Sequence, residues 1–170
     1  VEGHFWEQGM FVLLPKIAPA IATPGRLKKG LEFTKQYLHT NGVTTSAEPG
    51  GIVSKQLQKA QNFVFSNADT PSRSYYTPDG KTMALKYVDK NMIKETEKML
   101  TWGKGNAIFL PKQVKLFADG AIFSQAMKMK TGYLDGHEGE WMMETNLFMK
   151  AFKIYWDAGY QIHIHQNGDE

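Results

Sequence analysis

His163 and His165 flank a single residue, and Gly168-Asp169 follows shortly after them. The mostly apolar lead-in Tyr160-Gln161-Ile162 reads as a strand, and alternate side chains of a strand point to one face. The two imidazoles would then stand roughly 6–7 Å apart on that face, at about 3.3 Å of rise per residue. Two imidazoles and a carboxylate at a strand end are the donor types of a divalent-metal site. His163 can equally be read as a core histidine whose ring nitrogens are satisfied by neighbours. Asp169 reads more simply as a turn residue, or as a partner of a ligand, than as a ligand.

Val114-Lys115-Leu116-Phe117-Ala118-Asp119-Gly120 is the second segment with chemical content. Lys115, Phe117 and Asp119 share one face if the strand runs straight through. A lysine between Val114 and Leu116 in a buried parallel strand is costly when charged, and burial favours its free amine. A free amine can take up CO₂ to give a carbamate, whose two oxygens can bridge two divalent cations. The plainer reading is a solvated or structural lysine, since charged side chains avoid burial. Asp119 would orient the end of the lysine strand or a metal-bound water, or would simply be a turn aspartate before Gly120. Glu7 and Glu48 are carboxylates on loops that could reach such a site, although solvated loop residues explain them as well. His137-Glu138 lies in a Gly-rich stretch with little sign of metal binding, and His4 and His39 read as surface residues. Phe148, Phe152, Tyr155 and Trp156 form a cluster suited to core packing or a subunit contact.

The elements that must position these residues follow from pattern. Residues 1–25 hold Gly3, Gly9, Pro15, Pro19, Pro24 and Gly25 and read as a loop with short apolar stretches. Leu27, Leu31, Thr34 and Leu38 mark one face of a helix over 26–40, stopped by Asn41-Gly42. A short β-branched strand follows at 43–47 and ends in Glu48-Pro49-Gly50-Gly51. Then come a helix at 54–63, a strand at 73–77 closed by Pro78-Asp79-Gly80, and a helix capped by Asp89 and running to Trp102. A strand at 113–118, a mostly loop stretch at 121–143, a helix at 145–158 and a strand at 160–165 complete the chain. Strands separated by helices imply a parallel α/β sheet with right-handed crossovers. Either an open doubly wound sheet or part of a (β/α)₈ barrel satisfies this order. No G-x-G-x-x-G follows any strand, which removes the main sign of a dinucleotide fold. In both architectures a site belongs at the carboxyl ends of the strands.

Bulk properties set the outer bounds. The 170 residues suffice for one domain with a real core, and 42% hydrophobic content fits a globular protein. A net charge of +3 without a long basic run gives no argument for nucleic acid. No apolar run approaches the roughly 20 residues of a membrane span, and no signal peptide is visible. The absence of cysteine excludes disulfides and thiolate metal sites and fits a reducing or an oxidising compartment alike. The chain opens on Val1 and stops at Glu170, one residue past Asp169, so it reads as an internal piece of a longer protein.

Gly42-Val43-Thr44-Thr45, then Val114 to Gly120, then His165-Gln166-Asn167-Gly168-Asp169 occur in this order. Together they resemble the amidohydrolase superfamily, specifically amidohydrolase family 3, the YtcJ-like metal-dependent hydrolases. The ordered set carries the resemblance, since each piece alone is weak. It covers nearly the whole chain, from Gly3-His4-Phe5-Trp6-Glu7 onward. The resemblance implies a partial (β/α)₈ TIM barrel, about strands 2–5, with residues 1–170 as the central part of one catalytic domain. It implies one or two divalent metals, usually zinc. Lys115 matches the often carboxylated lysine of the barrel's fourth strand, and His165 matches the fifth-strand metal histidine. His163 and Asp119 would then contact substrate or support the ligands. The family's first-strand His-x-His, sixth-strand histidine and eighth-strand aspartate have no counterpart here. Reading His163-Ile164-His165 as the first-strand pair is opposed by its place after the lysine strand and by Gly168-Asp169 at fifth-strand spacing.

The expected function is metal-dependent hydrolysis of an amide-like C–N bond in a small molecule, with this chain supplying part of the site and being inactive alone. Two rivals remain: a regulatory or binding protein of the same fold that has lost ligands, and a self-contained α/β binding domain. Half a barrel leaves open sheet edges, which predicts a homo-oligomer or aggregation.

Overall fold

A computed structural model describes Gly3, Phe5 and residues 8–170. Glu7 and His4, and most of the stretch Gly3 to Glu7, lie outside the described residues. The described chain is mixed α/β. Its helices are α1 (Gln8–Ile21), α2 (Pro24–Thr40), α3 (Lys55–Phe65), α4 (Gly80–Tyr87), α5 (Met92–Leu100) and α6 (Thr145–Asp157). Its strands are β1 (Thr45–Pro49), β2 (Arg73–Thr77), β3 (Ala107–Phe109), β4 (Gln113–Phe117) and β5 (Gln161–His165).

All strand pairs are parallel. β1, β2 and β3 form one sheet in that order, and β4 pairs with β5. A parallel bridge between Asp79 and Lys115 joins the two, with the Lys115 N–H donating to the Pro78 carbonyl at 3.0 Å. The described strands do not close on themselves. β1 lies at one edge, which lets Pro49 sit in a strand without costing a ladder hydrogen bond.

Alternation sorts the strands into two faces. Tyr76, Ala107, Phe109, Val114 and Leu116 are buried and join Val64, Phe65, Met83, Met99 and Tyr155 of the helices in one core. Inside it the Tyr155 hydroxyl meets the Thr96 hydroxyl at 2.7 Å, so the phenol is both buried and paired. Gly80 is required where α4 crosses β4: a Cβ there would stand 2.7 Å from Leu116 Cδ2 and 2.8 Å from the Lys115 carbonyl. The opposite face carries Lys115, Phe117, His163 and His165.

Several elements differ from the pattern-based expectation. Residues 8–21 are helical although Pro15 and Pro19 lie inside. α1 is exposed over most of its length, so the carbonyls of Phe11 and Pro15 that lose an N–H partner stay open to water. Pro78-Asp79-Gly80 is not only a turn: Asp79 caps α4, accepting from the Thr82 N–H at 3.2 Å and the Thr82 hydroxyl at 2.5 Å. Asp89 caps nothing. α5 starts after Asn91, and the Asp89 carboxylate pairs with Lys150 of α6. β1 runs two residues further than expected, through Glu48 and Pro49, and β3 adds a three-residue strand within the expected loop after α5. Arg73–Thr77, the body of the Gln113 strand and Gln161–His165 lie where alternation put them.

Candidate metal centre

β4 and β5 set the geometry of the candidate site. Their register pairs Lys115 with His163 and Phe117 with His165. Registered partners in a parallel pair point the same way, so these four side chains share the face turned from the helices. His165 stands diagonally from Lys115, one strand over and two residues on, which is about 8 Å between Cα atoms at ordinary sheet spacing.

Lys115 is only 5% exposed. Burial pushes its pKa below the usual lysine range, and no charge or hydrogen-bond partner among the described residues contributes to that shift. Its nearest polarisable neighbour is the Phe117 ring, 5.3 Å from Nζ to centroid. The stem of the side chain lies against Gly50 at the end of β1. A Cβ at Gly50 would come within 2.8 Å of Lys115 Cγ and 3.1 Å of Phe117 Cζ, and the backbone there has φ +87°. Glycine therefore makes room for the lysine.

The two histidines differ. His163 is exposed, and its pKa is lowered first by partial burial and then by the repulsion its own positive charge would meet from Lys115 and His165 when these are protonated. His165 is half-buried and tilts against Phe117, with centroids 6.1 Å apart. Its Nε2 lies 2.8 Å from the Asn167 side-chain amide nitrogen, which also donates to the Gly120 carbonyl at 3.0 Å.

Asp119 lies just past the end of β4 at Phe117, where the Ala118 N–H still reaches the His165 carbonyl at 2.9 Å. The carboxylate is 1% exposed and accepts three backbone N–H groups. Oδ1 takes Asn167 at 2.8 Å, while Oδ2 takes Gly168 at 2.7 Å and Lys128 at 3.0 Å. It fastens the turn after β5 to the long loop after β4. That loop, 118–144, is ordered by return contacts: the Gly120 N–H reaches the Ala126 and Glu140 carbonyls, and the Met142 N–H reaches the Ala118 carbonyl. Asp169 performs the same kind of fastening, accepting from the Lys130 N–H at 3.1 Å.

Several other carboxylates and histidines among the described residues have partners elsewhere. His137 bonds Asp135 and the Gln125 carbonyl, and Glu138 pairs with Lys128. His39 sits at the last turn of α2. A cavity of about 260 Å³ lies in the same loop, lined by Lys130, Tyr133, His137, Glu138 and Glu170, away from Lys115. Among the described residues no three His, Asp or Glu side chains are grouped so as to hold a metal ion. Gly50 and Asn167 had been read only as parts of a turn and of a motif. Their roles depend on partners 65 and 47 residues away, Lys115 and Gly120.

Comparison of the chain with protein-family models, with curated proteins and with solved structures found no match.

The donor chemistry on this face nevertheless fits a divalent cation in part. The Lys115 amine, which has no hydrogen-bond acceptor among the described residues and a pKa lowered by burial, and two imidazoles on adjacent strands are nitrogen donors when deprotonated, and carboxylation of the amine would add oxygens. They are three candidate donors, fewer than a full coordination shell needs.

Proposed function

We propose that this chain belongs to a metal-dependent amidohydrolase of the (β/α)₈ type and carries the lysine and histidine of its fourth and fifth barrel strands. The observation that carries the proposal is Lys115: a lysine almost without exposure, without an acceptor among the described residues, and on the same sheet face as His163 and His165. Burial disfavours a charged ammonium there, with the Phe117 ring at 5.3 Å as a partial offset. A free amine can attack CO₂ there. The new N–C bond gives a carbamate, and the proton leaves to solvent. The product is an anion with two oxygens directed from the sheet face.

Lys115 as carbamate and His165 would hold zinc, with His163 beside them as a further nitrogen donor or a substrate contact. When bound, the metal would bring the pKa of a coordinated water to about 7 and polarise the carbonyl of an amide-like substrate. Asp119 and Asp169 hold the loop after β4 and the turn after β5 in place, so the carboxyl ends of both strands face a fixed rim. Substrate choice would lie in such βα loops.

The test is zinc binding with and without CO₂. Equilibrium dialysis of the chain in bicarbonate-equilibrated buffer is expected to show tighter zinc uptake than in CO₂-free buffer. Isotopically labelled bicarbonate should give a carbamate carbon signal. Lys115→Met should abolish both the signal and the CO₂ dependence, and His165→Gln should weaken zinc uptake while leaving the signal. Zinc uptake indifferent to CO₂ and to both substitutions would overturn the proposal.

A further inference from the structure

We infer that two copies of this chain join β5 of each to β1 of the other about a two-fold axis and so close one eight-stranded parallel barrel. The inference concerns the sheet edges, goes beyond the metal reading and holds with or without a cation.

The hydrogen bonds show which side of each outer strand is free. In a parallel ladder, alternate residues turn their N–H and C=O groups to the same neighbour. In β1 the Thr44 carbonyl accepts from the Arg73 N–H and the Gly50 N–H donates to the Thr77 carbonyl, so the even-numbered residues face β2. Thr45 and Ala47 then point their N–H groups outward, and Pro49 has none to point. In β5 the Gln161 N–H donates to the Lys112 carbonyl and the His165 carbonyl accepts from the Ala118 N–H, so the odd-numbered residues face β4. Ile162 and Ile164 turn their backbone groups outward. Among the described residues no strand pairs with either edge. The β5 edge carries none of the devices that keep edges apart: no proline, no lysine and no bulge in its register.

The strands between these edges make half of a closed barrel. On its side away from β1, β2 bonds β3 through Ser74 and Tyr76, and then β4 through Pro78. β3 and β4 therefore occupy one strand position in succession. The described sheet has four positions, β1, β2, β3 with β4, and β5, all parallel. Its curvature has the right sense. β1 and β4 flank β2, which in a flat sheet would set them roughly 9–10 Å apart. Yet a Cβ on Gly50, the first residue past β1, would stand 3.0 Å from Lys115 Cβ. The carboxyl end thus curls toward the Lys115 face, and the helices pack against the other face.

A second copy is the occupant that fits both edges at once. A two-fold axis along the barrel keeps every strand parallel and brings β5 of each copy beside β1 of the other. The two junctions are identical, and four positions taken twice give the eight strands of a barrel narrow enough for side chains to fill. No edge remains. A lone foreign strand would cover one edge and leave the other open. Closure places Lys115, His163 and His165 of both copies around one interior, so each copy adds donors to the face that the other leaves incomplete.

Analytical ultracentrifugation with amide hydrogen exchange tests this. The unsubstituted, metal-free chain is expected as monomer and dimer in equilibrium with nothing larger, since a closed ring leaves no edge to extend. In the dimer the Ile162 and Ile164 amides should exchange more slowly than in the dilute monomer. Ala47→Pro removes an outward N–H and leaves the β2 ladder intact, because the Ala47 N–H does not bond β2. It should raise the dimer dissociation constant about tenfold or more, with circular dichroism unchanged. A monomer at every concentration, a series of ever larger species, or a dimer whose Ile162 and Ile164 amides exchange as fast as in the monomer would each overturn the inference. So would a folded Ala47→Pro chain that dimerises as tightly as the parent. Should that substitution prevent folding, ultracentrifugation and exchange of the unsubstituted chain decide by themselves.

Discussion

Replacing Asp119 should unfasten the rim of the candidate site. Its carboxylate takes the backbone N–H groups of Lys128, Asn167 and Gly168 at 3.0, 2.8 and 2.7 Å while almost fully buried. Hydrogen bonds to a charged group contribute about 1.5–3 kcal/mol each. The three share one acceptor, and the freed N–H groups would partly rehydrate, so simple addition overstates the loss. Asp119→Ala should therefore cost about 3–5 kcal/mol, a large share of the stability of a domain this size. Asp119→Asn keeps one oxygen. Placed at the Oδ2 position it still serves Lys128 and Gly168, but its NH₂ then opposes the Asn167 N–H, and a loss of about 1–3 kcal/mol is expected. Urea unfolding of both variants measures the totals, and amide hydrogen exchange at residues 128, 167 and 168 locates them. If Asp119→Ala unfolds within about 0.5 kcal/mol of the unsubstituted chain, as surface substitutions do, with those three amides equally protected, the fastening role is refuted.

Further outcomes follow from single positions. Gly50→Ala places a side chain at φ +87° and 2.8 Å from Lys115 Cγ, so urea unfolding should show a loss of about 2–4 kcal/mol and dialysis a loss of zinc uptake; a variant as stable as the parent would contradict the cradle. Both His137 ring nitrogens face acceptors, the Gln125 carbonyl at 2.9 Å and Asp135 Oδ1 at 2.5 Å, so the carbonyl first and the carboxylate second raise its pKa. Its contribution to loop stability is fully present below the unfolded value of about 6.5 and is lost as pH rises through the higher folded value; an NMR titration midpoint at or below the unfolded value would refute this. Among the described residues β1 and β5 each have an unpaired edge, so sedimentation should show concentration-dependent self-association, whereas a monomer at all concentrations would count against open edges.

Local rules made much of this chain legible. Alternation placed His163 and His165 on one face, and an apolar sandwich of Val114 and Leu116 marked Lys115 as a costly lysine. The same rules misjudged elements whose fate depends on surroundings. Pro15 and Pro19 are breakers by residue type, yet an exposed helix accommodates them, and Pro78-Asp79-Gly80 has the pattern of a strand-closing turn although Asp79 caps α4. β3 is too short for alternation to be seen at all, with three residues that are strand because β2 lies beside them.

By itself the sequence determined the alternation of α2, β1, α3, β2, α5, β4, α6 and β5, though not α1, α4 or β3, together with the sheet face on which the amine and imidazoles stand and the donor types available there. Those depend on neighbours within a few residues, where backbone geometry leaves little choice. Only the tertiary structure decided that the Asp119 carboxylate holds two loops, that Gly50 yields space to Lys115, and that the Asn167 amide lies between Gly120 and His165. Each of those is a contact between segments distant along the chain, and the direction of a carboxylate or amide follows whichever donor or acceptor folding brings to it.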